Sequence, residues 1–210
     1  MIILVRHGEA RHHVDDLTGG WTDSSLTEKG YVQIEQAAGW IEDLCSGQKP
    51  AVITSDLLRA KQSARIIAGR LGSEIIVSAL LREKNNGQAA GKTVQAAMTM
   101  RLPRQADDPD NRNYPGGETR REFFERVIKG TAQLLLSDKP FFIVAHKGTI
   151  QNILFWWLGF SIDEACRRAV SFAVSAASIT VLTVNAWKEH EISLLNYRRD
   201  LLIKKVNSTL

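Results

Sequence analysis

Cysteine is scarce in this chain of 210 residues. Cys45 and Cys166 stand far apart and outside any C-x-x-C spacing, so neither a disulfide framework nor a zinc site is expected, and both read as buried, reduced thiols. Long apolar runs are missing as well. No stretch approaches the ~18 residues of a membrane span, and the opening "MIILV" is too short for a signal-peptide core and follows no basic region. The expectation is a cytoplasmic protein with no membrane contact. No segment combines low hydrophobicity with high net charge, so the chain is expected to fold throughout. The net charge is +4, but most cations are interleaved with acids along helical stretches and no basic stripe carries stacking aromatics. A nucleic-acid partner is therefore not expected. The one basic cluster, "NYRRDLLIKK" (196–205), reads as a solvated or subunit-facing terminus.

What is present is an alternation of strands and helices. Apolar residues are 44 % of the chain, enough to build a sizeable core in one domain over 1–210. Residues 2–5 form a fully apolar run of the kind buried on both faces of a parallel sheet. A helix is expected near 26–44, with Ile34, Ala37, Ala38, Ile41 and Leu44 at helical spacing and Thr27 as its cap. "AVITS" (51–55) is a strand, 56–71 a helix with Ala60, Ala64, Ile67, Ala68 and Leu71 on one face, and "EIIVS" (74–78) a third strand. Residues 84–117 break the rhythm with turn formers and most of the prolines, leaving room for one short helix at most. A loop that long inside a compact domain is usually functional or disordered. A helix over 119–136, the strand "FFIVA" (141–145), the helix "TIQNILFWWLG" (149–159) and a hairpin from "SITVLTV" and "EISLLNY" complete the chain. The pattern predicts a three-layer α/β/α fold with a mostly parallel central sheet and the hairpin as an antiparallel edge.

Three of the four parallel-strand candidates end in polar groups that introduce a helix or turn: Arg6-His7-Gly8, Ser55-Asp56 with Arg59 close behind, and His146-Lys147-Gly148. Ligands of open α/β sheets bind outside the carboxyl ends of the strands, where helix N-termini add unpaired N–H groups. Two histidines and two arginines converging there suit a dianion, most simply a phosphoryl group.

The motifs "VRHGEA", "TSDLLRA", "LREKNNG", "PGGET" and "VAHKGTI" occur in the order and approximate spacing of the histidine phosphatase (phosphoglycerate mutase-like) superfamily, which the chain resembles from residue 2 through the last hairpin. The segment "GGWTDSSLTEKG" is similar to the family's as well. The resemblance implies that His7 is the nucleophile that becomes phosphohistidine, that Arg6, Arg59 and His146 bind the phosphoryl oxygens, and that Glu83 is the proton donor to the leaving oxygen. It also places Gly19 and Gly20 at the substrate. The chemistry agrees: a neutral imidazole whose other N–H is held by a carbonyl is a competent nucleophile, and two guanidiniums with an imidazolium can stabilise a loose in-line transition state without a metal. No cofactor and no metal are expected, so chelators should leave activity unchanged, and the need for neutral His7 with a proton on Glu83 favours a mildly acidic optimum.

Three positions depart from the family pattern. His13 stands where many members carry Asn, Lys147 where Gly is common, and Ala89 where a bulky aromatic is usual, which suggests a wider pocket. His13 and Lys147 are carried as substrate-binding candidates. The leading expectation is a phosphomonoester hydrolase acting on a small-molecule phosphoester and releasing inorganic phosphate. A cofactor-dependent phosphoglycerate mutase and a non-catalytic phosphate-binding module are the alternatives. Arg101, Arg104 and Arg112 in the long loop are candidates for recognising a second anionic group. The Trp156-Trp157 pair and the hairpin are candidates for an apolar contact in a homodimer.

Overall fold

The computed structural model describes residues 1–45, 47–103, 107–135 and 141–198. A six-stranded sheet is built from β1 (Ile2–Arg6), β2 (Ala51–Thr54), β3 (Ile75–Val77), β4 (Phe141–Ala145), β5 (Ile179–Val184) and β6 (His190–Tyr197). Its order is β3-β2-β4-β1-β5-β6; the first four strands are parallel, and the hairpin β5–β6 joins through an antiparallel pairing of β5 with β1. The expected mixed sheet with its antiparallel edge is therefore present.

Helices cover both faces: α1 (Arg11–Val14), α2 (Glu28–Cys45), α3 (Leu58–Leu71), α4 (Val94–Thr99), α5 (Arg120–Leu135), α6 (Lys147–Trp157) and α7 (Ile162–Arg167). The period-2 alternation of a strand explains how one apolar run serves two cores. Ile3 and Val5 of β1 pack with Ile34, Ala38 and Ile41 of α2 and Ile67 of α3 on one face. Ile2 and Leu4 pack with Val127 of α5 and Ile150 and Ile153 of α6 on the other. Thr27 caps α2 as expected, its hydroxyl accepting from the Gly30 N–H at 3.0 Å.

Beside β1 the backbone is packed against backbone. A Cβ on Gly8 would overlap the Gly30 carbonyl, and one on Gly30 would overlap the Glu9 carbonyl. Two glycines thus let the turn after β1 lie directly on the first turn of α2, which fixes the residue between them and the sheet, His7.

The structure also adds elements. Arg11, His12 and His13 lie on the single helical turn α1. The helix α7 is an addition, started by a capping box in which Ser161 and Glu164 bond reciprocally. Trp157 is 7 % exposed, donates to the Glu191 carbonyl and stacks on His190, and Trp156 packs on the same core. Trp157 therefore tethers α6 to β6 and is taken up by the fold, while Trp156 remains partly exposed. Cys45 and Cys166 are free and buried. Leu136 and residues 199–205 of the basic cluster lie outside the described residues.

Candidate active site

The carboxyl ends of β2, β4 and β1 lie side by side, with Arg6 in register with Ala145 and Thr54 with Val144. The first residues beyond the strands, His7 and His146, therefore emerge together, ring centroids 5.1 Å apart. His7 is 3 % exposed. Its Nδ1–H donates to the Gly8 carbonyl at 2.7 Å, and its Nε2 accepts from Arg59 Nε at 3.2 Å. These two contacts select one tautomer, with the proton on Nδ1 and the lone pair on Nε2. Arg59, the second residue of α3 and 1 % exposed, also donates to the Gly20 and Thr22 carbonyls, both at 2.7 Å. Gly19 and Gly20 are thereby drawn to the cavity wall.

His146 is fully buried, and its Nε2 lies 2.7 Å from Ser55 Oγ. That hydroxyl accepts the Leu57 N–H and can donate to the imidazole, leaving the His146 proton on Nδ1, which has no partner within the protein. Arg6 Nε is likewise buried without a partner, while its Nη1 donates to the Val174 carbonyl at 2.8 Å. Two orphaned nitrogens beside one lone pair are the signature of a site awaiting an acceptor-rich ligand. Arg6 Nη2 lies 3.2 Å from His13 Nε2, and the Ala10 N–H points at His13 Nδ1 at the same distance. A neutral imidazole accepts at only one of these.

Burial, followed by nearby guanidiniums, holds His7 and His146 well below the ordinary imidazole range. Burial and neighbouring cations push His12 down to about 3 and His13 down to about 4. Burial also lowers Arg59, to about 10, which leaves it charged at neutral pH. The site thus presents guanidiniums and neutral imidazoles, and desolvation leaves His146 to charge only where an anion lies beside it.

Glu83 closes the site from the loop after β3. Its Oε1 accepts the Lys84 N–H at 2.8 Å and its Oε2 the Gly148 N–H at 3.0 Å. Trp21 lies beneath, donating to the Glu83 carbonyl at 2.8 Å with the Arg82 guanidinium over its ring. A Cβ on Gly148 would collide with Glu83 Oε1 and come within 2.9 Å of the Phe123 ring. Gly148→Ala is therefore expected to displace the carboxylate. If that group protonates a leaving oxygen, hydrolysis of alkyl phosphates should fall by about 10²-fold, while p-nitrophenyl phosphate, whose leaving group needs no proton, should lose much less. Equal losses on both esters would place Glu83 outside proton transfer.

Arg6, His7, His12, His13, Arg59, Glu83 and Lys147 line one cavity of about 440 Å³ together with Gly19 and Gly20. Eight of the nine residues expected at the site thus line it, and the ninth, His146, is buried directly against His7. Segment 84–117 supplies an outer wall, including Val94, Met98, Arg101 and Tyr114. Ala89 is not on that wall: it is fully buried with Ala97 against Tyr114, so the missing aromatic does not widen the cavity. Arg112 is corrected too, because it is paired with Glu122 at 2.6 Å and occupied by the fold. Arg104 lies outside the described residues. Glu118 pairs with Arg126 at 2.7 Å and accepts the Asn85 N–H. A slightly larger cavity, about 480 Å³, lies between α2 and the hairpin against Trp40 and Tyr197, away from every strand-end residue. Among the described residues no cluster of His, Cys, Asp and Glu is arranged to hold a metal ion.

Comparison with known proteins agrees with this geometry: the profile of the histidine phosphatase superfamily (branch 1) matches residues 2–197. The chain belongs to that superfamily. The glucosyl-3-phosphoglycerate phosphatase of Mycolicibacterium vanbaalenii is 28 % identical over 174 residues, covering 78 % of this chain and 76 % of its own. A probable phosphoglycerate mutase, GpmB of Erwinia tasmaniensis, is 33 % identical over 151 residues, covering 69 % and 68 %. In fold, the solved structure of the alpha-ribazole phosphatase from Shigella flexneri superposes with a TM-score of 0.80 at 22 % identity, covering 93 % of this chain and 96 % of that one. For this member of the histidine phosphatases, sequence reasoning missed Ser55, His12 and Gly148. Ser55 stands at a strand end, where polar residues were already conspicuous, but its bond to His146 spans 91 positions and has no local signal.

Proposed function

We propose that this histidine phosphatase is a metal-independent phosphomonoester hydrolase that works through a phosphohistidine on His7. The observation that carries the reading is the His7 Nε2 lone pair, pinned between the Gly8 carbonyl and Arg59 and flanked by the orphaned Arg6 Nε and His146 Nδ1. In the first step Nε2 attacks phosphorus, the ester P–O bond breaks, and Glu83 gives its proton to the departing alcohol. In the second, water attacks phosphorus, the N–P bond breaks, and the Glu83 carboxylate takes the water proton. Arg6, Arg59 and the His146 Nδ1–H hold the equatorial oxygens, where pre-placed donors act most strongly on a dianionic transition state. His13 is the residue through which Arg6 is positioned, and Lys147 faces the leaving group.

Quenching in alkaline detergent during turnover of a labelled phosphoester, with EDTA present, tests this, because the N–P bond of phosphohistidine survives base and is lost in acid. Label is expected on His7 in amounts unaffected by chelation, and label on another residue would overturn the assignment. The mutase named among the relatives gives a second reading its motivation. Phosphoryl transfer from 2,3-bisphosphoglycerate with interconversion of the two monophosphoglycerates, faster than phosphate release, would favour it.

A further inference from the structure

Glu83 stands between two cavities. Beyond it, on the side away from His7, lies a second cavity of about 310 Å³ that shares Glu83, Lys84 and Lys147 with the first and is walled by Arg120, Asn152 and the rings of Phe123 and Phe155. An ester whose leaving oxygen meets Glu83 has its alcohol half at this junction, so the second cavity is placed to receive it.

Its chemistry is specific. The other arginines of this region are neutralised: Arg82 by Asp56, Arg112 by Glu122, Arg121 by Asp110 and Asp163, Arg126 by Glu118. Arg120, the first residue of α5, and Lys147, the first of α6, have no acidic partner among the described residues. Asn152 is 6 % exposed and lines the cavity, yet its side-chain Nδ2 has no hydrogen-bond partner. A buried amide donor left unbonded by the protein is costly and rare. Unpaired cations, an unbonded amide and two aromatic walls together fit an anionic group carried on a flat or apolar frame.

We propose that this second cavity recognises the alcohol half of the substrate, and that the substrate class is a phosphomonoester whose alcohol bears a second anion, bound by Arg120 and Lys147 with Asn152 as hydrogen-bond partner. The proposal rests on the phosphomonoesterase reading, but its test does not depend on turnover. Affinities of the non-hydrolysable phenylphosphonate, 3-carboxyphenylphosphonate and benzene-1,3-bisphosphonate are measured by calorimetry on wild type, Arg120→Gln and Arg101→Gln. The second anion is expected to tighten binding about tenfold or more in wild type, the scale of a charge-assisted contact. Arg120→Gln should abolish most of that gain, and Arg101→Gln should preserve it. Preference for the carboxylate or for the second phosphonate tells which anion the site takes. Equal affinity for all three probes overturns the inference while leaving the phosphatase reading standing, as does a gain lost in Arg101→Gln but kept in Arg120→Gln. Absence of any phosphonate binding takes down both.

Discussion

Turnover is expected to fall by about 10⁴-fold or more in His7→Asn, the scale on which removal of a covalent nucleophile acts. Asparagine keeps a donor for the Gly8 carbonyl, which accepts from His7 at 2.7 Å, and suits a pocket where the native ring is 3 % exposed. What it lacks is the lone pair that faces Arg59. Arg6, Arg59 and His146 remain, so affinity for inorganic phosphate should stay within several-fold of wild type. The loss should lie in kcat, with no alkali-stable, acid-labile label recovered from quenched enzyme. Three other imidazoles lie close by, at centroid distances from His7 of 5.1 Å for His146, 5.8 Å for His13 and 6.3 Å for His12. Because all three are neutral at pH 7, each is a rival nucleophile on chemical grounds. More than about one per cent residual turnover in His7→Asn would transfer the role to one of them.

The same imidazoles should make the fold acid-labile in a particular window. Above pH 6.5 they are neutral in the folded and the unfolded chain and contribute nothing to the pH dependence. Below 6.5 the unfolded chain takes up protons that the folded site refuses, because burial first, then Arg59 at His7 and His146 and His13 at His12, depress the folded-state values. Stability must therefore fall as pH falls, down toward about 3 for His12. The three buried rings, His7, His12 and His146, all act in this direction, so their losses reinforce one another as the pH falls. His13 is more exposed and contributes less. Urea melts at pH 7.5 and pH 5 should show this loss. Saturating phosphate should recover much of it, because a bound dianion favours protonated imidazoles and stabilises by mass action. A midpoint unchanged between the two pH values would mean that the rings charge freely in the folded protein.

The sheet was legible because burial on both faces leaves a run such as "FFIVA" no polar residue, and such runs are hard to mistake. Helices α2 and α3 were legible from their period. The four residues of α1 are too few for any period, and its N-cap is Ala10, whose side chain supplies no capping bond. The helix α7 had a readable start in Ser161 and Glu164, overlooked because the segment is only six residues long. At the site, the strand-end residues declared themselves by type and place, whereas Glu83 was one carboxylate among several until the family pattern chose it. Arg101 and Arg112 could not be told apart in sequence. Their difference lies in Glu122, which reaches Arg112 because the chain bridges from Arg112 to Thr119. The desolvation of His146 was not legible because sequence shows the residue and not its burial.

The position of β1 has a consequence for the order of events during synthesis. It is made before either of its neighbours in the sheet, β4 and β5, which begin at residues 141 and 179. An emerging chain therefore carries the sticky "IILV" and an unassembled His7 for well over a hundred residues of synthesis before its own partners appear. Contacts this distant in sequence are slow to form and leave apolar edges exposed meanwhile. The nascent site is thus unassembled until β4 and β5 have left the ribosome, and it is in that interval that a chaperone holding β1 would be most useful.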